Sequence, residues 1–252
     1  MRSESSRKKG GECVCHRDRR LRRSRREERI GWAAALLLLL LFVENAGAGT
    51  IGSPAAAGRP ATLSRLNLEY DTVQREMNSN DRSFSGEVTS ERVLLQGVFG
   101  LTPYTDFFLR VGAADLETAS RGFNSGLGVA YGGGGRWTVL KKGDLKIGLG
   151  LQFLEFLGRD ADAPISKVHW DELETFVGGE IEGLERFTPY FGVSFSKAVG
   201  RFEGGPGATV RSDDFIGLFV GAEYQIYQNY YLSSEARLIH ENALTIRVNY
   251  HL

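Results

Sequence analysis

The chain has 252 residues, 42% hydrophobic and 25% charged, and its 31 basic and 31 acidic side chains leave no net charge. Such an average resembles an ordinary soluble protein and gives no support to a nucleic-acid partner recognised by overall charge. The average conceals a strongly uneven distribution along the chain.

Before Ile30 there are 12 basic and 5 acidic residues, a surplus of +7. Ile30 to Val43 then reads IGWAAALLLLLLFV without a charge, followed by Glu44-Asn45-Ala46-Gly47-Ala48. A basic start, a short apolar run and small residues at positions minus three and minus one form a signal-peptide pattern, with cleavage expected after Ala48. Fourteen apolar residues as a helix reach only about 21 Å, short of a hydrocarbon core of roughly 30 Å, which argues against a transmembrane anchor. The long n-region leaves the true start open, nearer Leu21 being an alternative. Arg22-Arg23 and Arg25-Arg26 are followed by Glu27 and Glu28, not by the apolar pair of a twin-arginine signal.

Through Ala48 the chain holds 12 basic and 6 acidic residues, so the exported remainder has 19 and 25, a net charge of about −6. Cys13 and Cys15 leave with the signal, so no disulfide, thiolate metal site or lipid anchor is expected. Residues 49–62 are small, contain Pro and Gly and lack any period, which predicts a flexible periplasmic lead-in.

From residue 63 to 252 no helix-period segment of ten residues occurs, and period-two alternation recurs instead. Apolar faces begin at Leu66-Leu68-Tyr70 and continue at Val93-Leu95-Phe99, Phe107-Leu109-Val111 and Leu127-Val129-Tyr131-Trp137. They go on at Leu145 to Phe153, Leu173 to Ile181, Phe191-Val193-Phe195, Ile216 to Ile226, Leu232 to Leu238 and Leu244 to Leu252. Ten strands are thereby predicted. Short turns near 102–105, 141–144, 183–186 and 227–229 alternate with longer polar stretches near 78–88, 116–124, 157–168 and 204–213. Transmembrane barrels combine short periplasmic turns with longer extracellular loops, and an even strand count puts both termini in the periplasm.

The face opposite the apolar stripe carries Gly and charge together, which suits a polar lumen inside a closed sheet better than a soluble core. The fold class read from the sequence is therefore all-β: a closed antiparallel transmembrane β-barrel of about ten strands, eight being the alternative, preceded by a signal peptide. Arg92, Arg110, Arg136, Arg237 and Arg247 are expected to point inward and meet Glu69, Glu174, Glu180, Glu223 and Glu235, forming a lumen charge network. Tyr104, Phe107, Trp137, Phe187, Tyr190, Phe191, Tyr224, Tyr227, Tyr230, Tyr231 and Tyr250 predict an aromatic girdle at the short-turn end.

The terminal strand Thr245-Ile246-Arg247-Val248-Asn249-Tyr250-His251-Leu252 ends on a hydrophobic residue with an aromatic two before it. In this it resembles the assembly signal of small outer-membrane barrels of the OmpA-like and OmpX-like families, a resemblance covering residues 63–252. Leu252 stands where an aromatic is usual, and Arg247 where the signal often has Gly. The resemblance implies recognition of Tyr250 and Leu252 by the barrel assembly machinery, escort by periplasmic chaperones, and contact with outer-membrane lipid and lipopolysaccharide.

Candidate chemistry is sparse, and no catalytic residue, cofactor or metal is expected. Asp160-Asp162 and Asp213-Asp214 lie in predicted loops without a neighbouring His, against a peptide hydrolase. His240-Glu241 near Ser233 and Ser234 lacks a nucleophile and oxyanion hole, against a lipid hydrolase. Gly132 to Gly135 has no following Lys-Ser/Thr and no helix, so it reads as a strand bend leaving room for Arg136 instead of a phosphate cradle. A structural or surface-interaction barrel with a charge-filled lumen is the favoured reading, and a narrow channel for small solutes the alternative.

Overall fold

The computed structural model describes residues 50–58, 62–79, 85–118, 123–159, 167–203, 208–212, 215–239 and 241–252. The signal segment, the cleavage site after Ala48, the acid pairs at 160, 162, 213 and 214, and His240 lie outside the described residues. No helix occurs among the described residues.

Thirteen strands form one antiparallel sheet: β1 (Thr62–Ser79), β2 (Ser85–Thr102), β3 (Thr105–Ala114), β4 (Glu117–Thr118), β5 (Phe123–Asn124), β6 (Gly128–Lys142), β7 (Leu145–Arg159), β8 (Lys167–Ile181), β9 (Phe187–Glu203), β10 (Ala208–Ser212), β11 (Ile216–Tyr227), β12 (Tyr230–Leu238) and β13 (Asn242–His251). Ten of them close into a ring. β1 pairs with β13 from Arg65↔His251 to Gln74↔Asn242, so the first and last long strands seal the wall. Closure leaves no unpaired edge in the ring, as a sheet facing lipid requires.

The remaining three strands arise where long polar loops were expected. β4 and β5 form a small hairpin, with Val88↔Thr118 joining it to β2. β11, β12 and β13 are only 12, 9 and 10 residues long, whereas β9 has 17 and β1 has 18. β9 and β1 therefore rise past their shorter neighbours. β10 fills the gap by pairing with both, through Val210↔Gly200 and Ser79↔Val210. Short turns gather at one end of the barrel, where Gly143 and Gln228 adopt positive φ in the β6–β7 and β11–β12 connections.

Alternation sets the two faces. Leu68 is 54% exposed while Glu69 beside it is 1% exposed. A crossing strand needs only about 9–11 residues, so strands of 15–18 residues stand beyond a bilayer. At the long-loop end their outward positions turn polar, at Glu76, Glu87 and Glu91 on β1–β2 and at Glu155, His169, Asp171 and Arg201 on β7–β9.

The inner face is less uniformly polar than expected. Phe156, Trp170 and Phe202 are buried with Met77, Leu116 and Phe123 in an apolar cluster to which β5 adds Phe123 and β10 adds Val210. Phe123 meets Phe202 edge-on at 5.3 Å. Tyr190, expected in the girdle, faces inward and is buried, whereas Tyr104, Trp137, Phe191, Tyr224, Tyr227 and Tyr230 are exposed. No bulge interrupts β6 at the four glycines: Gly132 to Gly135 keep regular register with Arg110 to Phe107 and with Leu154 to Leu151. A Cβ at Gly134 would come 2.6 Å from Phe108 Cζ, so the missing side chain makes room for that ring.

Candidate functional site

The lumen is built from inward side chains of all ten ring strands, and many of its ion pairs follow from one of two placements. In the first, the partners are cross-strand neighbours. Glu69 opposes Arg247, Asp106 opposes Arg136 and Lys146 opposes Glu180 in register. Their charged atoms meet at 3.1, 3.3 and 3.1 Å. In the second, long arginines reach across the barrel: Arg92 Nη2 lies 2.7 Å from Glu172 Oε1, and Arg237 Nη1 lies 2.9 Å from Glu174 Oε1.

Glu69 has a cation on each side, since Arg110 Nε also stands 3.3 Å from its second oxygen. Arg237 is a hub, with Glu235 at 3.0 Å and Glu241 at 2.9 Å in addition to Glu174. Arg75 pairs with Glu241 and donates to Ser196 Oγ at 3.2 Å. Arg110 and Arg136 also lie over the Phe108 ring, 4.9 and 5.1 Å from its centroid. Charged groups taken out of water must be matched in this way, because a lone buried charge costs several kcal/mol.

All ten residues expected in the network thus line the lumen, but they do not form one cluster. Glu180 sits with Lys146 towards the short turns, and Glu223, half-buried, has Arg65 at 3.7 Å. Glu172, Asp106 and Arg75, which sequence alternation puts on the polar face but outside the expected network, supply further partners, and Glu241 joins them. Glu241, considered from the sequence with His240 as a hydrolase site, is instead consumed by Arg237 and Arg75. Ser233 faces the lumen and accepts from Asn249 Nδ2 at 3.1 Å, separate from that pair. Tyr250 and Leu252 lie on the outer face: the Tyr250 ring is 5.0 Å from that of Tyr230, and Leu252 N donates to Ser64 O at 3.0 Å.

A segment that no periodicity announced completes the site. The expectation of a free lead-in does not hold for residues 50–58, which form a strap inside the barrel. Ala57 N donates to Asp106 Oδ2 at 2.8 Å and Ala56 N to Thr138 Oγ1 at 2.9 Å, near the short turns. Deeper in, Arg136 Nη1 donates to Ser53 O at 2.8 Å, Ser53 Oγ bonds Glu180, and Gly52 N and Ile51 N donate to the two oxygens of Glu235 at 2.7 and 2.9 Å. Ile51 packs against Phe176, Tyr190 and Phe219. Thr50 is the deepest, donating from Oγ1 to Asp71 Oδ1 at 2.8 Å and accepting from Arg110 Nη2 at 2.5 Å.

The wall is shaped to receive this strap. A Cβ at Gly148 would lie 2.2 Å from Pro54 O, so glycine there lets the two backbones touch. Gly52 itself has φ +71, and a Cβ on it would strike Arg247 Nη1 at 2.4 Å. Strap, ion pairs and apolar cluster leave little space between them. The cavity among Arg75, Arg110, Glu172, Glu174 and Arg237 measures about 10 Å³, hardly room for one water.

Outside the lumen, charge gathers in two places. In the β8–β9 turn, burial opposes ionisation of Glu182, but Lys146 and Lys141 outweigh it and hold the carboxyl below its ordinary range. On the outer face, His169 Nε2 lies 2.6 Å from Glu155 Oε1 and 3.4 Å from Asp171 Oδ1, while Arg201 Nη2 neutralises Asp171 at 2.9 Å. These three could hold a cation by spacing, but Asp171 is already matched.

No protein-family model matches the chain, and no curated protein matches it. Among solved structures it is similar to an outer membrane channel from Pseudomonas putida F1, at 12% identity over 81% of this chain and 100% of that one, with a TM-score of 0.42. The transport unit of the autotransporter AIDA-I from Escherichia coli is similar at 11% identity, covering 78% and 92%, with a TM-score of 0.43. Outer membrane protease OmpT from Escherichia coli is similar at 11% identity, covering 78% and 100%, with a TM-score of 0.37. At such identities and scores the closed ring of ten strands stands on the chain's own register, and no neighbour lends it an activity.

Proposed function

We propose that this chain is an exported outer-membrane barrel with a structural or surface-interaction role and a lumen that does not conduct. The observation that carries this reading is the filled lumen: the strap from Thr50 to Ala57 is bonded to Glu235, Asp106 and Arg136, and ion pairs and an apolar cluster fill the space beyond it. The apolar outer belt supports insertion in lipid. The polar outward positions Glu155, His169, Asp171 and Arg201 beyond that belt suit contact with lipopolysaccharide headgroups. Export requires loss of the signal after Ala48, and insertion uses the barrel assembly machinery, for which Tyr250 and Leu252 present the strand terminus.

Liposome swelling tests the reading. Vesicles containing the folded protein should shrink and stay shrunken in small sugars and amino acids, as protein-free vesicles do. Re-swelling at a rate set by solute size would favour the narrow-channel alternative and contradict the sealed lumen.

A further inference from the structure

The strap offers only neutral atoms to a charged wall. Thr50 to Ala57 carries no charged residue, and its backbone makes most of its bonds to the wall. The amides of Ile51 and Gly52 donate to Glu235, that of Ala56 to Thr138 and that of Ala57 to Asp106, while the carbonyls of Thr50 and Ser53 accept from Arg110 and Arg136. The wall groups have their counter-ions elsewhere. Glu235 is matched by Arg237 at 3.0 Å, Asp106 by Arg136 at 3.3 Å, Glu180 by Lys146 at 3.1 Å and Arg110 by Glu69 at 3.3 Å. Asp71, which takes the Thr50 hydroxyl, also holds a hydrogen bond from its register neighbour Thr245. Withdrawing the strap therefore leaves Glu235, Asp106, Glu180, Arg110 and Arg136 paired, and the penalty of a buried charge stripped of its partner does not arise at any of them.

A wall of this kind is built to hold a peptide more than one particular sequence. Main-chain hydrogen bonds supply affinity whatever the side chains, and pockets supply selectivity. Here the selectivity resides in two adjacent positions. Ile51, 1% exposed, fills the pocket of Phe176, Tyr190 and Phe219. Gly52 has φ +71 and lies against the Arg247 guanidinium, so both conformation and space exclude a side chain there.

We infer that the short-turn half of the lumen is a peptide-binding cup, that the strap is its resident ligand, and that a second uncharged peptide with a branched aliphatic residue followed by glycine can take the strap's place. The strap holds the cup by proximity. Ala57 is five residues from Thr62, the start of β1, and so short a tether gives an effective concentration of about millimolar. A competing peptide enters when it exceeds that concentration or when the strap is unseated. Exchange opens the cup towards the short turns only, because Met77, Phe123, Phe156, Trp170 and Phe202 still close the lumen beyond it. Peptide binding is thus independent of conductance, which the swelling assay reads separately.

Two measurements on the full chain test this. In the wild type, folded in detergent, the amide hydrogens of Ile51, Gly52, Ala56 and Ala57 should exchange with solvent at least about tenfold faster than the paired amides of β1 and β13, since a separable strap opens without the ring. Equal protection would overturn the proposal whether or not any variant folds. In the second measurement Gly52→Val unseats the strap from within and leaves every wall residue in place. A fluorescent peptide of sequence Thr-Ile-Gly-Ser-Pro-Ala-Ala-Ala should then bind the variant saturably, one per barrel. It should bind the wild type at least about tenfold more weakly, because the tethered strap competes. Valine in place of the peptide's isoleucine should preserve binding, and aspartate there should abolish it. No saturable binding to the Gly52→Val protein, equal binding to the wild type, or equal binding of a peptide with the reversed sequence would contradict a cup that reads a peptide backbone in one direction.

Discussion

Arg247 and Val248 are neighbours in β13, yet one is 4% and the other 45% exposed. The inner residue is bound to Glu69 and stands over Gly52 of the strap, and the outer one belongs to the apolar belt. The difference teaches that the two faces of this wall tolerate change by opposite rules. Inside, an atom matters through its specific partners; outside, it matters only through its polarity and its depth.

The largest effect should come from the most connected inner residue. Arg237→Ala removes the arginine paired with Glu174 and Glu235 and one arginine paired with Glu241, and breaking a buried pair from one side costs about 3–5 kcal/mol. Reversible urea unfolding in lipid vesicles should register at least that loss. Next comes the outer face, where Val248→Arg should cost roughly 2–4 kcal/mol if this position lies near the bilayer midplane. Arg247→Gln follows at about 1.5–3 kcal/mol, the scale of one charged hydrogen bond, because Glu69 keeps Arg110. If Arg247→Gln were far worse than Val248→Arg, the depth assigned to β13 would be wrong. A reversal in which Val248→Arg is harmless would mean a one-residue slip that exchanges the faces. The smallest effect belongs to Lys141→Gln at the short-turn rim. Its pair with Glu182 spans 3.3 Å between side chains 54% and 40% exposed, which is worth about 0–1 kcal/mol.

The ring was legible because lipid outside and charge inside impose a strict period of two, and ten apolar stripes appear in the sequence as ten strands. Ion pairs between register neighbours, such as Glu69 with Arg247, were within reach of the same reasoning, since register follows from alternation and turn length. Arg92 with Glu172 was not, because β2 and β8 are not adjacent and their side chains meet only across the lumen. Inward aromatics were hidden for another reason: in Phe107-Phe108-Leu109 both faces are apolar, and alternation cannot separate a lipid-facing ring from one facing inward. The strap left no period at all. Its Ala, Gly, Ser and Pro residues look like a linker, and the glycines that accommodate it, Gly148 above all, lie nearly a hundred residues away.

Single-channel recording in planar bilayers tests the sealed lumen most directly. The folded, processed protein is predicted to insert without stepwise conductance in concentrated potassium chloride. Stable unitary steps from wild-type protein would contradict a lumen closed by the strap, its ion pairs and the apolar cluster beyond them.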